Sequence, residues 1–231
     1  MNKHVRPAPA SKIVVDAALA LVDRRGLAAL TIRRLAAEVG APPMSLYAHF
    51  RSKEQLQDLM FERLVQRLFP AHDGTTWQQE FETAGRHART LLLGHPYWVP
   101  LLARPALPTS SLGFYDHILR LMVEDGFARD AAVHAFSSAM SFALGFVLTE
   151  RMMTPRSGVV IPIGRMVLLK KAIPQFPAGA YGHVAASKSA FDAWSFDKVF
   201  DLGLRSLIAG IESEFVRSPP KAKRTRRSAG G

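Results

Sequence analysis

The side chains best equipped for chemistry lie close together near the N-terminus: Thr31, Arg33, Arg34, Ser45, Tyr47, His49 and Lys53. An arginine fork matches guanine edges and phosphate oxygens, and hydroxyl and imidazole groups hydrogen-bond phosphates. Catalytic chemistry finds less material. The chain has no cysteine, which excludes thiolate zinc sites and thiol nucleophiles. Its eight histidines show no metal-ligand spacing, so neither a metal nor a cofactor is expected. No nucleophile-elbow serine, dinucleotide-binding glycine string or phosphate loop is present. Asp116 and His117 are adjacent and point to different faces of a helix, a poor dyad. An enzyme is not expected.

The charge distribution points the same way. The 231 residues carry a formal +11, of which residues 1–53 hold +6 and residues 217–231 another +6, leaving −1 for the middle. Positive ends and a neutral centre suit a polyanion-binding head, a basic tail and a body with another task, although a merely solubilising surface would carry the same sum. No apolar run reaches the ~18 residues that a membrane span needs, and residues 1–10 hold no signal-type stretch, so a cytoplasmic protein without a membrane partner is expected.

Short helices must position these groups. Ile13, Ala17, Ala20, Leu21 and Arg24 recur at three and four residues, which predicts a helix over Ser11–Arg25 ended by Gly26. Thr31 is a natural N-cap for Ile32–Val39 and Gly40 a natural residue to follow it. Ala41-Pro42-Pro43 is a turn, Met44–Phe50 a short helix with Leu46 and Phe50 inward, and Ser52 caps a longer helix over Lys53–Phe69. Helix, three-residue turn and short helix over residues 31–50 have the pattern of a helix-turn-helix. Beyond it, helices are predicted over Trp77–Leu93, Ser110–Glu124, Ala128–Arg151, Arg165–Lys171 and Phe196–Phe215, with loops at Pro96–Pro108 and Pro174–Ser189. Val159-Val160-Ile161 is the one β-like run, and Pro162 argues against extending it. The fold class is all-α.

The strings Leu30-Thr31-Ile32-Arg33-Arg34-Leu35-Ala36-Ala37-Glu38-Val39-Gly40 and Ser45-Leu46-Tyr47-Ala48-His49-Phe50-Arg51-Ser52-Lys53-Glu54-Gln55-Leu56 resemble the DNA-binding domain of the tetracycline-repressor (TetR) family of transcription regulators, from about Pro9 to Leu68. The remainder resembles, less specifically, the ligand-binding domain of the tetracycline-repressor subgroup, through Trp77-Gln78, His95-Pro96, the run from Ala143 to Leu148 and the run from Phe200 to Leu204. The resemblance implies a three-helix helix-turn-helix domain (9–69) and a helical ligand-binding and dimerisation domain (70–216), while charge and composition mark a basic arm (1–8) and a basic tail (217–231) expected to be disordered. It also implies double-stranded DNA as partner, read as a palindromic operator by a homodimer. Thr31, Arg33, Arg34, Met44, Ser45, Tyr47, His49 and Lys53 are the candidate contacts, Met44 through thymine methyl groups. Activation on the same fold, or nonspecific architectural binding, are the competing readings.

A small-molecule effector is implied as well, with Met60, Leu64, Phe81, His95, Trp98, Leu102, Phe114, Ile118, His134 and Phe142 as candidate ligand contacts. Alignment on Trp77 and His95 puts Ala84, Ala88 and Leu102 where tetracycline-binding members carry drug-contacting Asn, Phe and His, and Phe69 where an early-body His would lie. The tetracycline–magnesium set is therefore missing, and a more lipophilic effector is expected. Truncation of Trp98 is expected to alter effector response and spare operator affinity. For the dimer, one face of Phe136, Met140, Ala143, Leu144, Val147 and Leu148 and another of Phe196, Val199, Phe200, Leu204, Leu207, Ile208 and Ile211 are expected to form a four-helix interface.

Overall fold

A computed structural model describes residues 9–70, 76–105, 109–152 and 181–217, together with the single positions 172, 175, 177 and 179. The expected arm, the Val159–Ile161 run, the Arg165–Lys171 helix and the tail beyond Arg217 lie outside the described residues. Every regular element among the described residues is helical. The head comprises α1 (Pro9–Arg25), α2 (Ile32–Val39), a 3-10 segment Pro43–Ala48, and the first part of α3 (Lys53–Leu68). The body adds α4 (Trp77–Gly94), α5 (Thr109–Glu124), α6 (Arg129–Met152), the short α7 (Gly182–Ala186) and α8 (Lys188–Asp192), and α9 (Phe196–Arg217).

Local chemistry sets the head's boundaries. Thr31 Oγ1 accepts from the Arg34 amide at 3.2 Å, satisfying one of the donors a helix start leaves open. Gly40 ends α2 at φ 67°, a left-handed conformation that a glycine adopts without Cβ strain, and the Ala41 amide returns to Ala36 O at 3.0 Å. Before α3, Ser52 Oγ accepts from the Gln55 amide at 3.2 Å while Gln55 Oε1 accepts from the Arg51 amide at 2.6 Å, a reciprocal pair close to a capping box.

The reading segment departs from the expected α-helix. Pro42 and Pro43 supply no amide donors, Ser45 Oγ donates to Pro42 O at 2.7 Å, and the six residues close as a 3-10 helix. The stretch read as a loop after His95 is also partly ordered as a 3-10 helix, Pro96–Ala103, with Pro100 inside it. A 3-10 run lacks the long amphipathic repeat on which periodicity depends.

Two hydrophobic clusters organise the chain. Leu19, Leu30, Leu35, Leu46, Leu56, Met60 and Leu64 close the head, and the same cluster continues into the body through Leu92, Trp98 and Leu101. Trp77, Phe81, Phe114, Ile118, Met122, Phe200 and Leu204 form the second, where α4, α5, α6 and α9 meet. Among these helices α6 corrects one expectation. Its residues 129–151 are long and apolar enough, at mean hydropathy 1.6, to cross a membrane by length and composition. Its packing against α4, α5 and α9 is instead that of a body helix, with much of its outer face uncovered by its own chain.

Candidate functional site

The exposed surface of the head gathers most of the expected contact residues. Thr31, Arg33, Arg34, Ser45 and Lys53 are exposed, Met44 and Tyr47 are 77% and 45% exposed, and His49 is half-buried at the end of the 3-10 segment. Leu46 and Phe50 turn inward and anchor that segment, with the Tyr47 ring 6.1 Å from Phe50. Lys53 opens α3, where uncompensated amides and the positive end of the helix dipole add to its ammonium charge. Two arginines of this region have protein partners: Arg34 Nη1 donates to Ala29 O at 3.1 Å, and Arg24 pairs with Glu38 at 2.5 Å. The result is a convex, cationic, hydroxyl-bearing face with Met44 projecting from it, suited to groove and phosphate contacts.

A polar seam joins head to body. Asp16 on α1 receives Arg63 Nε at 2.8 Å and Arg67 Nη2 at 2.9 Å, both from α3. Burial alone pushes the Asp16 carboxyl up, but the Arg63 hydrogen bond and the charges of Arg63 and Arg67 outweigh it and hold the group below its ordinary value. His95 Nδ1 lies 2.9 Å from Asp23 Oδ2, its ring stacks on Trp98 at 3.8 Å, and the Arg67 guanidinium sits 5.2 Å over the same indole. Trp98 is buried and donates from Nε1 to Leu19 O at 3.3 Å. From the end of the 3-10 helix in the body, Arg104 reaches Asp58 at 2.6 Å, Gln57 at 2.7 Å and Glu54 O at 3.3 Å, all on the first half of α3.

Behind this seam lies a cavity of about 200 Å³ between α3, α4, α5, α6 and α9. Of the expected ligand contacts, Phe81, Leu102 and Phe114 line it. Met60 and Leu64 do not: they point into the head core, and their neighbours Phe61 and Val65 form the wall. A helix rotates about 100° per residue, so a one-residue shift in the assumed face exchanges core for cavity. His95 and Trp98 belong to the seam, and Ile118 is buried in the body core. Phe142 stacks on Phe200 at 5.7 Å and fills the space left by Gly203, where a Cβ would come within 2.6 Å of its ring. His134 lines an outer groove between α6 and α9. By contrast Phe69, Ala84, Ala88 and Leu102, singled out through the resemblance, all line the one cavity. Tyr115 and Phe61 were missed, and nothing in the sequence separated them from core residues of the same type.

The expected dimer faces need correction in part. Phe136, Met140, Ala143, Leu144 and Leu204 turn toward the cavity, and Val147, Phe200 and Ile208 are buried within the subunit. Of the same expected faces, Leu148 and Val199 are exposed, and Phe196, Val199, Leu207 and Ile211 line outer grooves of α6 and α9 together with the small residues Ala131, Ser138, Ser141, Gly145, Ser206, Gly210 and Ser213. Between these helices and α4, Arg89 forms a bidentate pair with Glu150, both contacts at 2.8 Å, and reaches Asp197 at 2.7 Å. Glu150 and Asp197 raise the pKa of Arg89 against the opposing effect of burial. Its guanidinium lies 5.1 Å over Phe200, an unforeseen ionic clasp in the body. No group of three or more acidic or histidine side chains converges to hold a metal among the described residues.

Residues 14–59 match the model for bacterial regulatory proteins of the tetR family, and residues 69–215 match that for the tetracyclin repressor-like C-terminal domain. The tetracycline repressor protein class A from transposon 1721 of Escherichia coli is 29% identical over 208 residues, 86% of this chain and 88% of its own length. A possible TetR family transcriptional regulator from Streptomyces coelicolor A3(2) is 29% identical with a TM-score of 0.67, covering 88% of this chain and 99% of that one. The S. coelicolor TetR family protein ActR, crystallised with actinorhodin, is 23% identical at a TM-score of 0.67 and shares the fold over 88% of this chain and 97% of its own. With a helix-turn-helix head, a helical body enclosing a cavity and both family models matched in order, the chain belongs to the tetracycline-repressor family of DNA-binding transcriptional regulators.

Proposed function

We propose that the protein is a cytoplasmic repressor that binds a two-fold symmetric operator as a homodimer and leaves it when a small lipophilic effector fills the body cavity. It acts by binding, not by catalysis. The observation that carries this reading is the division of α3: Met60 and Leu64 are built into the head core while Phe61 and Val65, one residue on in each case, form the cavity wall. Any ligand that moves that wall moves the head on the same rigid element, and an effector with differential affinity for the two head positions shifts DNA affinity reciprocally. ActR, of the same fold, has been crystallised with actinorhodin, which supports a ligand role for such a body.

Thr31, Arg33, Arg34, Met44, Ser45, Tyr47, His49 and Lys53 form the proposed DNA contact set. One head covers half a site, so specific binding calls for two, joined through the small-residue stripes of α6 and α9. The domain division follows, with residues 9–69 reading DNA and residues 70–216 sensing ligand and dimerising. Selection of binding sites from genomic DNA with the purified protein tests the reading. A palindromic site bound about a thousand-fold or more over competitor DNA at fixed salt is expected. Uniform binding along DNA favours the architectural alternative and overturns it, and an operator placed upstream of promoters that the protein stimulates makes it an activator.

A further inference from the structure

The cavity is unusual in what its wall omits. Among the described residues, no carboxylate, ammonium, guanidinium or imidazole belongs to a lining residue, and the one hydroxyl is that of Tyr115. Aromatic rings line much of the cavity: Phe69 and Phe114 lie stacked at 4.4 Å and 13°, and Tyr115 meets Phe136 edge to face at 4.9 Å. Small residues of α4 and α6, such as Ala84, Ala88, Ala139 and Ala143, also line it and leave a recess. The volume of about 200 Å³ exceeds that of an engineered cavity of about 150 Å³ that holds benzene, and falls short of the ~300 Å³ at which drug-sized pockets begin.

We propose that the ligand of this chain is an uncharged, metal-free aromatic compound of one or two fused rings, held by the Phe69–Phe114 pair and anchored by one hydrogen bond to the Tyr115 hydroxyl. The proposal rests on the effector reading of the cavity and narrows it to a chemical class. An anionic ligand would bring a charge against described lining residues that offer no partner for it, so it would have to bind as the scarce neutral form or leave its charge outside. A metal chelate would likewise find no imidazole or carboxylate among the described lining residues to complete its coordination. Flat rings fit because offset and edge contacts with phenyl groups add to area burial. The phenol at Tyr115 then sets orientation, since among the described lining residues it is the one side chain able both to donate and to accept.

Calorimetric titration of the full chain with 2-naphthol and with 2-naphthoate, which share a ring system and differ in charge at neutral pH, tests the class. The neutral probe is expected to bind, and the carboxylate to bind at least about thirty-fold more weakly. Tyr115→Phe should weaken 2-naphthol by about five-fold, the effect of one neutral hydrogen bond. Ala139→Leu, which fills the recess, should remove binding while operator affinity shows that the variant is folded; should it not fold, the Tyr115→Phe result decides alone. Equal affinity for the two probes, no binding of 2-naphthol, or an unchanged affinity in Tyr115→Phe overturns the proposal. Tight, Tyr115-dependent binding of 2-naphthol that leaves operator affinity unchanged would instead sink the effector reading and leave the ligand class standing.

Discussion

Arg104 and Asp58 are joined across the head–body seam by a 2.6 Å contact, and Leu102, two residues before that arginine, lines the cavity. The 3-10 helix Pro96–Ala103 thus touches the ligand space near its end and holds the first half of α3 immediately beyond it. Arg104→Ala should cut the mechanical link while sparing the reading face. Operator affinity without ligand is expected to stay within about three-fold, and the ligand-induced loss of affinity to shrink by about five-fold or more, in line with ordinary coupling energies. Fluorescence anisotropy of labelled operator with and without ligand measures both; a full ligand response in the variant would show that the signal travels by another route.

Trp98→Ala should act differently from what its sequence position suggests. The indole is stacked between head and body elements and lies outside the cavity lining, so its loss empties a buried site and breaks the bond to Leu19 O. A destabilisation of about 3–5 kcal/mol is expected, with operator binding and ligand response lost together at growth temperature. Urea unfolding monitored by far-UV circular dichroism gives the magnitude, and a variant of unchanged stability with a selective defect in ligand response would return Trp98 to the cavity.

Much of the head was legible because its signals are local. Thr31, Gly40, Ser52 and the Pro42-Pro43 turn act on their own backbone, and each does in the fold what its residue type favours. The body was less legible because α4, α5, α6 and α9 are apolar on more than one side. Phe136 and Met140 lie on a correctly read stripe that faces inward to the cavity, since periodicity gives a face but not the neighbour it meets. The seam residues His95, Arg104 and Asp16 pair with partners 46 to 72 positions away, which no window of sequence reveals.

Asp16 makes the seam sensitive to acid. Its native carboxyl titrates below its unfolded value, so the stabilisation is complete above the unfolded pKa of about 3.9 and is lost as pH falls through the lower native one. Asp16→Asn should therefore lower stability at pH 7 by about 1 kcal/mol, a figure discounted because the side chain is 33% exposed. The gap to the parent should close as pH drops below that range. Urea midpoints at pH 7 and pH 3 measure it, and a gap that widened in acid would contradict the sign.

Lys53 and Arg33 should separate positioning from reading. Lys53→Ala is expected to weaken all DNA sequences alike and reduce the slope of log affinity against log salt by about one. Arg33→Ala should cost about 1–3 kcal/mol on the selected operator and less on random DNA, if its fork reads a guanine. Salt titrations of both variants on both DNAs distinguish the two; identical behaviour would reduce Arg33 to a phosphate contact.

Gly210 offers a clean test of the dimer face. Among the described residues, a Cβ placed there meets nothing within 4 Å, and the same holds at Gly145 on the facing helix. Glycine is also the weakest helix former after proline, so a larger residue at position 210 of α9 should favour the isolated helix by about 1 kcal/mol. The described residues of the subunit therefore give no reason for Gly210→Leu to be harmful. A second copy packed on the stripe of Ser206, Gly210 and Ser213 does, because close helix approach requires small residues at the crossing. Sedimentation should find Gly210→Leu monomeric at concentrations where the parent is a dimer, and operator affinity should fall by two orders of magnitude or more as the two heads lose their common frame. A stable Gly210→Leu dimer with intact operator binding would place the interface on another face of the body.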